Sequence, residues 1–364
     1  MRRRSAPKRI AILCPASASW VAPCLGGFRR YAHAAQDWHL FSSSPVFHGD
    51  DLARILDSLE GWMGDGILTV SNDRAGLRRL RAMNIPAVNL AAGLAENHGI
   101  PRVMVNNQRA GRLAADHLLG QGVRSLAFFG WEKMWYSQQR LEGFRLRATE
   151  AGVECREFLR PIRDQTRQSW DQRLAGTADW VLSLPHSTGI FAVNDGQAQM
   201  LTEACRQADV RVPDDFAVMG MDDDETICEH SIPTLTSLSR NSGKVGWEAA
   251  ALLDRLMRGE PPPVLDILLE PDGVTARKST EVLYCEDRVV LHALHYMRAN
   301  IRSQYNVEEI AEHAAVSKRT LENRFRQVLR CSPHSFLRRL RVEHAQTLMR
   351  MPQPQTIEQI AGEC

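Results

Sequence analysis

The feature that most constrains the fold is an alternation. Short apolar runs recur near Gly or Pro: RIAILC at Arg9–Cys14, DGILTV at Asp65–Val70, IPAVNL at Ile85–Leu90, SLAFFG at Ser125–Gly130, GIFAV at Gly189–Val193 and FAVMGM at Phe216–Met221. Runs this short and this uniformly apolar suit strands buried on both faces. Between them lie segments of helical period, Asp51–Trp62, Arg74–Met83, Arg109–Gly120, Arg140–Ala151, Trp170–Leu184 and Gly196–Ala208. Strand–helix alternation of this length predicts a doubly wound α/β architecture, in which ligands bind beyond the carboxyl ends of the strands.

The residues just after each run are therefore the ones to inspect. They are Ser17 and Trp20, Trp131 and Trp135, Asn194 and Asp195, and Asp222. Carboxylates and amides that exchange pairs of hydrogen bonds, with indole faces beside them, suit a polyhydroxylated ligand. Strand-end Asp and Asn also cap helices, and Trp also fills cores. Taken singly each residue is better read that way; taken as a set they point to a site.

Longer stretches carry a resemblance. GIFAVNDGQAQML, VRVPDDFAVMGMDDDE and TLTSLSRNSGKVGWEAAALLDRLM, with NNQRAGRLAADHLLGQGVRSLAFFG and RLEGFR before them, are similar to the effector domain of LacI-type regulators and periplasmic sugar-binding proteins. The resemblance spans roughly Arg9 to Lys278. It implies a two-lobed, periplasmic-binding-protein-like (type I) α/β domain with ligand between the lobes and three crossings of the chain. Lobe 1 is expected at about 9–104 and 240–264, lobe 2 at about 107–236 and 266–278. It also implies sugar contacts at Arg140, Asp195 and Asp222. Asn106, where the family usually carries Asp before the Ala-Gly helix, joins Ser17, Trp20, Trp135 and Asn194 in the expected ligand set.

The tail differs in charge and pattern. Formal charge is +2 overall, yet Ser317–Arg350 alone carries +7, which leaves −5 for the rest. Such a split suggests a polyanion-binding tail on a near-neutral body. Within NVEEIAEHAAVSKRTLENRFRQVL, Asn306 can cap a helix with Val307, Ile310, Ala311 and Ala314 inward. A turn at Ala315-Val316 follows, and Ser317 can cap a second helix with Leu321, Phe325 and Val328 inward. Lys318, Arg319, Glu322, Asn323 and Arg326 then share an outward face of the composition that reads DNA bases and phosphates. Ser332-Pro333 opens a further helix running to Met349.

IAEHAAVSKRTLENRF, SPHSFLRRLRVEHAQTLM and IEQIAGEC together resemble the AraC-type DNA-binding domain, with Ala315 and Arg330 where that family often has Gly. A LacI-like sensor ahead of an AraC-type domain resembles the xylose-operon regulator family. The resemblance implies a cytoplasmic transcription regulator, typically an activator. It would bind double-stranded DNA as a homodimer, answer a pentose such as D-xylose, and engage RNA polymerase when activating. No cofactor, metal or membrane partner is expected.

The expected domains are a basic arm (1–8), the sensor (9–278), a linker (279–285) and an all-α helix-turn-helix domain (286–364). TIEQIAGEC at Thr356–Cys364 echoes NVEEIAEHA fifty positions earlier and opens a second helix-turn-helix unit that these residues do not finish. The domain is therefore expected to be truncated, and the chain to bind sugar normally through its sensor but DNA weakly.

Other classes fit less well. The first residues mimic a secretory signal, but Ile10–Cys14 is too short for its apolar region and Pro15 ends the run. No stretch approaches the ~18 apolar residues of a membrane span. The eight cysteines are scattered without a Cys-x-x-Cys pair, as in a reduced protein. A transport-type sugar-binding protein would have no use for the basic tail. The enzyme seeds, His292 and His295 in HALH and the acidic Asp222–Glu225, lack a zinc-motif Glu, a phosphate loop or a nucleophile elbow. HALH reads instead as a packing face of the helix that precedes the helix-turn-helix.

Overall fold

The computed structural model describes residues 7–15, 19–35, 38–42, 52–59, 61–281, 287–303, 305–329, 331–349 and 356–364. The first lobe is built from β1 (Lys8–Leu13), α1 (Val21–Ala35), β2 (Trp38–Ser42), α2 (Leu52–Ser58), β3 (Gly66–Thr69), α3 (Arg74–Ala82), β4 (Ala87–Asn89) and β5 (Arg102–Val105). The second follows with α4 (Asn107–Gly120), β6 (Ser125–Trp131), α5 (Trp135–Ala151), β7 (Cys155–Arg160), α6 (Asp164–Arg167), α7 (Trp170–Leu182), β8 (Thr188–Ala192), α8 (Asp195–Gln207), β9 (Phe216–Met221), α9 (Glu225–His230) and β10 (Thr236–Ser239). The chain then returns through α10 (Ser242–Met257) and β11 (Asp266–Leu269) to the first lobe, and through β12 (Gly273–Thr275) to the second.

Each lobe is a six-stranded sheet among the described residues, ordered β11-β5-β4-β3-β1-β2 and β12-β10-β9-β8-β6-β7. Every pairing is parallel except β12 on β10. Each of the six apolar runs contributes a strand, and β3, β6, β8 and β9 are buried along their whole length. Three crossings join the lobes, as the resemblance implies. The last boundary moves, however, because Asp266–Leu269 lies in the first sheet rather than in lobe 2. The cause is local: Ile267 and Leu269 pack on the first lobe's core. Asp266 also holds the buried Arg102 through two hydrogen bonds of 2.6 and 2.8 Å.

In the second lobe, α4 and α5 cross at small residues. A Cβ on Gly111 would meet the Arg140 carbonyl oxygen at 1.9 Å, and one on Gly143 would meet that of Gln108 at 1.9 Å. This approach sets the height of α5 and therefore of Arg140.

The C-terminal domain comprises α11 (Arg288–Ala299), α12 (Val307–His313), α13 (Lys318–Leu329), α14 (Pro333–Met349) and α15 (Ile357–Gly362). Val290, Leu294, Met297, Ile310, Leu321, Phe325 and Phe336 form its core. Val328 does not join them. It is 37% exposed, and Leu329, one position on, packs on the core instead. The expected linker at 279–285 starts too early, since Ser279 and Thr280 are buried in a 3-10 turn (Lys278–Thr280) against the second sheet. Residues 282–286 lie outside the described residues, as do the arm to residue 6 and Arg330. The seven described cysteines are free thiols.

Candidate functional site

Residues that follow the strands of both sheets enclose a cavity of about 380 Å³ between the lobes, within the ~300–1,000 Å³ typical of small-molecule sites. Val70 and Asn72 follow β3, Ala91 follows β4, Asn194 and Asp195 follow β8, Asp222 follows β9 and Arg240 follows β10. The first turn of α5 closes the junction. Its Trp135 and Tyr136 N–H groups donate to the Gly93 and Ala92 carbonyls of the first lobe at 2.9 and 3.0 Å, satisfying donors that a helix start leaves unpaired.

Arg140 forms one wall. Its side chain is 1% exposed, donates from Nε to Asn107 Oδ1 at 2.9 Å and from Nη1 to the Val193 carbonyl, and lies over the Tyr136 ring at 5.1 Å. Burial pushes its guanidinium down to about 10 against the opposing pull of Asp222, so it stays charged at neutral pH.

Asp195 forms the floor. It is 1% exposed, accepting from Ser237 Oγ at 2.5 Å and from the Asp224 N–H at 2.8 Å. Burial, and then the charge of Asp222, raise its carboxyl to about 7. Asp222 and Asp223 both take positive φ, 118° and 53°, a strain of ~1–3 kcal/mol each that tends to gather at ligand clamps. Asp222 accepts from Arg240 Nη1 at 3.3 Å, and Arg240 in turn lies 4.1 Å over the Trp20 ring. The cavity thus offers acceptors at Asp195 and Asp222, donors at Arg140 and Arg240, and aromatic faces at Trp20 and Tyr136. This is the equipment for hydroxyl pairs and the apolar face of a sugar ring.

Of the expected ligand residues, Trp20, Arg140, Asn194, Asp195 and Asp222 come together here. Ser17 lies outside the described residues. Asn106 does not line the cavity; its side chain caps α4 by accepting from the Arg109 N–H at 3.1 Å and reaches Glu270 at 3.3 Å. Trp135 does not line it either, because its ring packs 5.1 Å from the Arg102 guanidinium at the lobe junction. Trp131 is core, 2% exposed beneath Arg160. Residues the sequence reading passed over are Arg240, Tyr136, Asn72 and Asn107. Asn72 obeyed the strand-end rule. Arg240 was hidden behind TSLS, too polar to register as an apolar run.

In the tail, α12 and α13 form the expected helix-turn-helix. Asn306 caps α12 by accepting from the Glu309 N–H at 3.0 Å, and Ser317 caps α13 by accepting from the Thr320 N–H at 3.2 Å. Lys318, Arg319, Asn323 and Arg326 are exposed and Glu322 is half-buried. Lys318 is held by Glu308 at 2.5 Å. Among the enzyme seeds, His292 is an exposed position on α11, and the side chain of His295 lies outside the described residues. No described helix is long and apolar enough to cross a membrane.

Comparison with known proteins matches this division. The family described as a periplasmic binding protein-like domain matches residues 115–280, and a helix-turn-helix domain family matches 310–364. The xylose operon regulatory protein of Escherichia coli (strain K12) is 26% identical over 349 residues, covering 94% of this chain and 87% of that protein. The protein of the same name from Haemophilus influenzae is 26% identical over 356 residues, covering 94% and 88%. The solved structure of the xylose-binding transcription activator xylR superposes with a TM-score of 0.67 at 24% identity, covering 100% of this chain and 92% of that one. These relatives are regulators and not enzymes. Similar along most of its length to xylose operon regulatory proteins, the chain is a sugar-responsive, DNA-binding transcription regulator, its two-lobed periplasmic-binding-protein-like sensor placed ahead of a helix-turn-helix domain.

Proposed function

We propose that the effector is a pentose of the D-xylose type, bound between the lobes by Arg140, Asp195, Asp222 and Asn194 with Trp20 over one ring face. We further propose that the chain acts in the cytoplasm as a homodimeric activator of pentose catabolic genes. The observation that carries this reading is the pairing of two strand-end carboxylates with the buried Arg140 in a cavity reached from both lobes. The names of the relatives that match along most of the chain support the choice of sugar. Lys318, Arg319, Glu322, Asn323 and Arg326, with Ser317 at the helix start, are the proposed DNA-facing set. Two copies would present two such helices to half-sites spaced by a DNA turn, ~34 Å or a multiple, and an activator would then engage RNA polymerase.

A thermal-shift panel of pentoses and hexoses tests the sugar reading. A ligand that binds only the folded protein stabilises it by about 2.7 kcal/mol at one hundred times its Kd. D-xylose is expected to raise Tm, and Asp222→Asn or Arg140→Met to abolish that rise. A panel in which no pentose shifts Tm, or in which both variants respond as wild type, would refute the assignment.

A further inference from the structure

Asp222, Asp223 and Asp224 are consecutive, yet their groups serve two different places. Asp222 faces the cleft, while the Asp224 N–H donates to Asp195 on the cleft floor. Asp223 turns away from it, accepting from Arg277 Nη1 at 3.0 Å and from Thr275 Oγ1 at 2.7 Å. Arg277 also donates to Glu229 at 2.6 Å and to the Leu235 carbonyl at 3.0 Å, so it is held at a fixed position.

That position is the exit of the chain from the sensor. The 3-10 turn that follows Arg277 ends at Thr280, shortly before the first helix of the DNA-binding domain. Thr280 Oγ1 is shared with Thr236 at 2.8 Å and with His117 Nε2 at 2.9 Å. Arg277, Thr280 and Gln121 from the sensor and Arg298, Leu340 and His344 from the DNA-binding domain line one cavity of about 240 Å³, which Arg298 spans by reaching Gln121 at 3.2 Å. A loop clamped at each of three successive residues cannot absorb a shift locally, and packed structure changes between discrete arrangements.

We propose that the Asp223–Arg277 ion pair carries occupancy of the cleft to the DNA-binding domain, with Arg277 a positioning residue for the chain's exit and for the inter-domain cavity. This rests on the reading of the cleft as a sugar site. A ligand that fixes Asp195 and Asp222 fixes the 222–224 loop, and Asp223 then sets Arg277. The link is an interaction whose strength both sites bias, which is what coupling between them requires.

Amide hydrogen exchange on the full chain tests it, with D-xylose, L-arabinose and D-ribose as probes. In the wild type, the binding sugar is expected to slow exchange in 222–230 and to change it in 288–299 and 333–349 by at least about threefold. Asp223→Asn, a residue that tolerates the same positive φ, and Arg277→Gln are expected to keep the first response and lose the second. Glu229→Gln, which leaves the Asp223 pair intact, is expected to keep both. If the two variants transmit the sugar response as wild type does, the link is wrong while the sugar site stands. The same holds if the wild-type response stops at the cleft, or if Glu229→Gln loses the second response equally. If no sugar changes exchange anywhere, the sugar reading falls and the link falls with it.

Discussion

Asp195 is buried against Asp222, and a carboxyl raised to about 7 in the fold, against an ordinary value of ~3.9 in the unfolded chain, has a definite linkage consequence. Between those two values the folded state holds a proton that the unfolded state has released. The group's contribution to stability is therefore largest below about pH 4 and declines as pH rises towards 7. Asp195→Asn removes the titration. Relative to wild type the variant should gain about 2 kcal/mol between pH 5 and pH 7.5, read as a difference of denaturant-unfolding free energies, which cancels any pH-independent cost of the substitution. An offset between variant and wild type that stayed constant across that range would contradict the assignment. The same residue shows what the sequence makes legible. Asp195 and Asp222 were readable because strand ends in this architecture line the cleft, and Arg140, inside α5, only through the resemblance of RLEGFR to LacI-type effector domains. Asn106 and Trp135 satisfy the same rule but are taken by other partners, Asn106 by the Arg109 N–H of α4 and by Glu270, Trp135 by Arg102. Only the tertiary arrangement decides between such uses.

Among the elements, the turn between α12 and α13 carries a visible cost. Ala315 takes φ of 56°, the Val316 N–H bonds the Ala311 carbonyl at 3.0 Å and the Ala315 N–H bonds that of Glu312 at 2.9 Å. This is a Schellman ending, in which the left-handed residue is usually Gly. Ala315→Gly should stabilise the DNA-binding domain by about 1 kcal/mol. For a domain of this size that raises its melting transition by ~4–8 °C, and an unchanged or lowered transition would contradict the account. The resemblance to AraC-type domains implied Gly at this turn, so a departure from that family's pattern located a strained position. Two of the strands that escaped the sequence reading lack a continuous apolar run. β7 is CREFLR, an edge strand exposed on part of its length, and β10 is TSLS, whose hydroxyls bond Asp195, Thr280 and neighbouring backbone instead of filling a core. Apolar runs mark central strands; edges and polar-networked strands carry no such mark.

In the whole molecule a cleft, a short exit segment and a helix-turn-helix follow one another, and each is built from different chemistry. The cleft uses buried charge, the joint uses a hydroxyl and guanidinium network, and α13 presents exposed Lys and Arg. The order of the two domains was legible because the charge split and the helix-turn-helix pattern both fall late in the chain. Their mutual contact was not, since Gln121, Thr280, Arg298 and His344 have no sequence pattern in common and meet only in the fold. The central claim is that sugar in the cleft alters DNA binding in the tail, and its most direct test is an affinity measured twice. A DNA fragment enriched from random sequence by the chain itself is titrated by fluorescence anisotropy at fixed salt, with and without saturating D-xylose. The account predicts that the sugar changes Kd at least about fivefold, the lower end of ordinary allosteric coupling. The same Kd with and without sugar, in a protein shown by calorimetry to bind D-xylose, would contradict it.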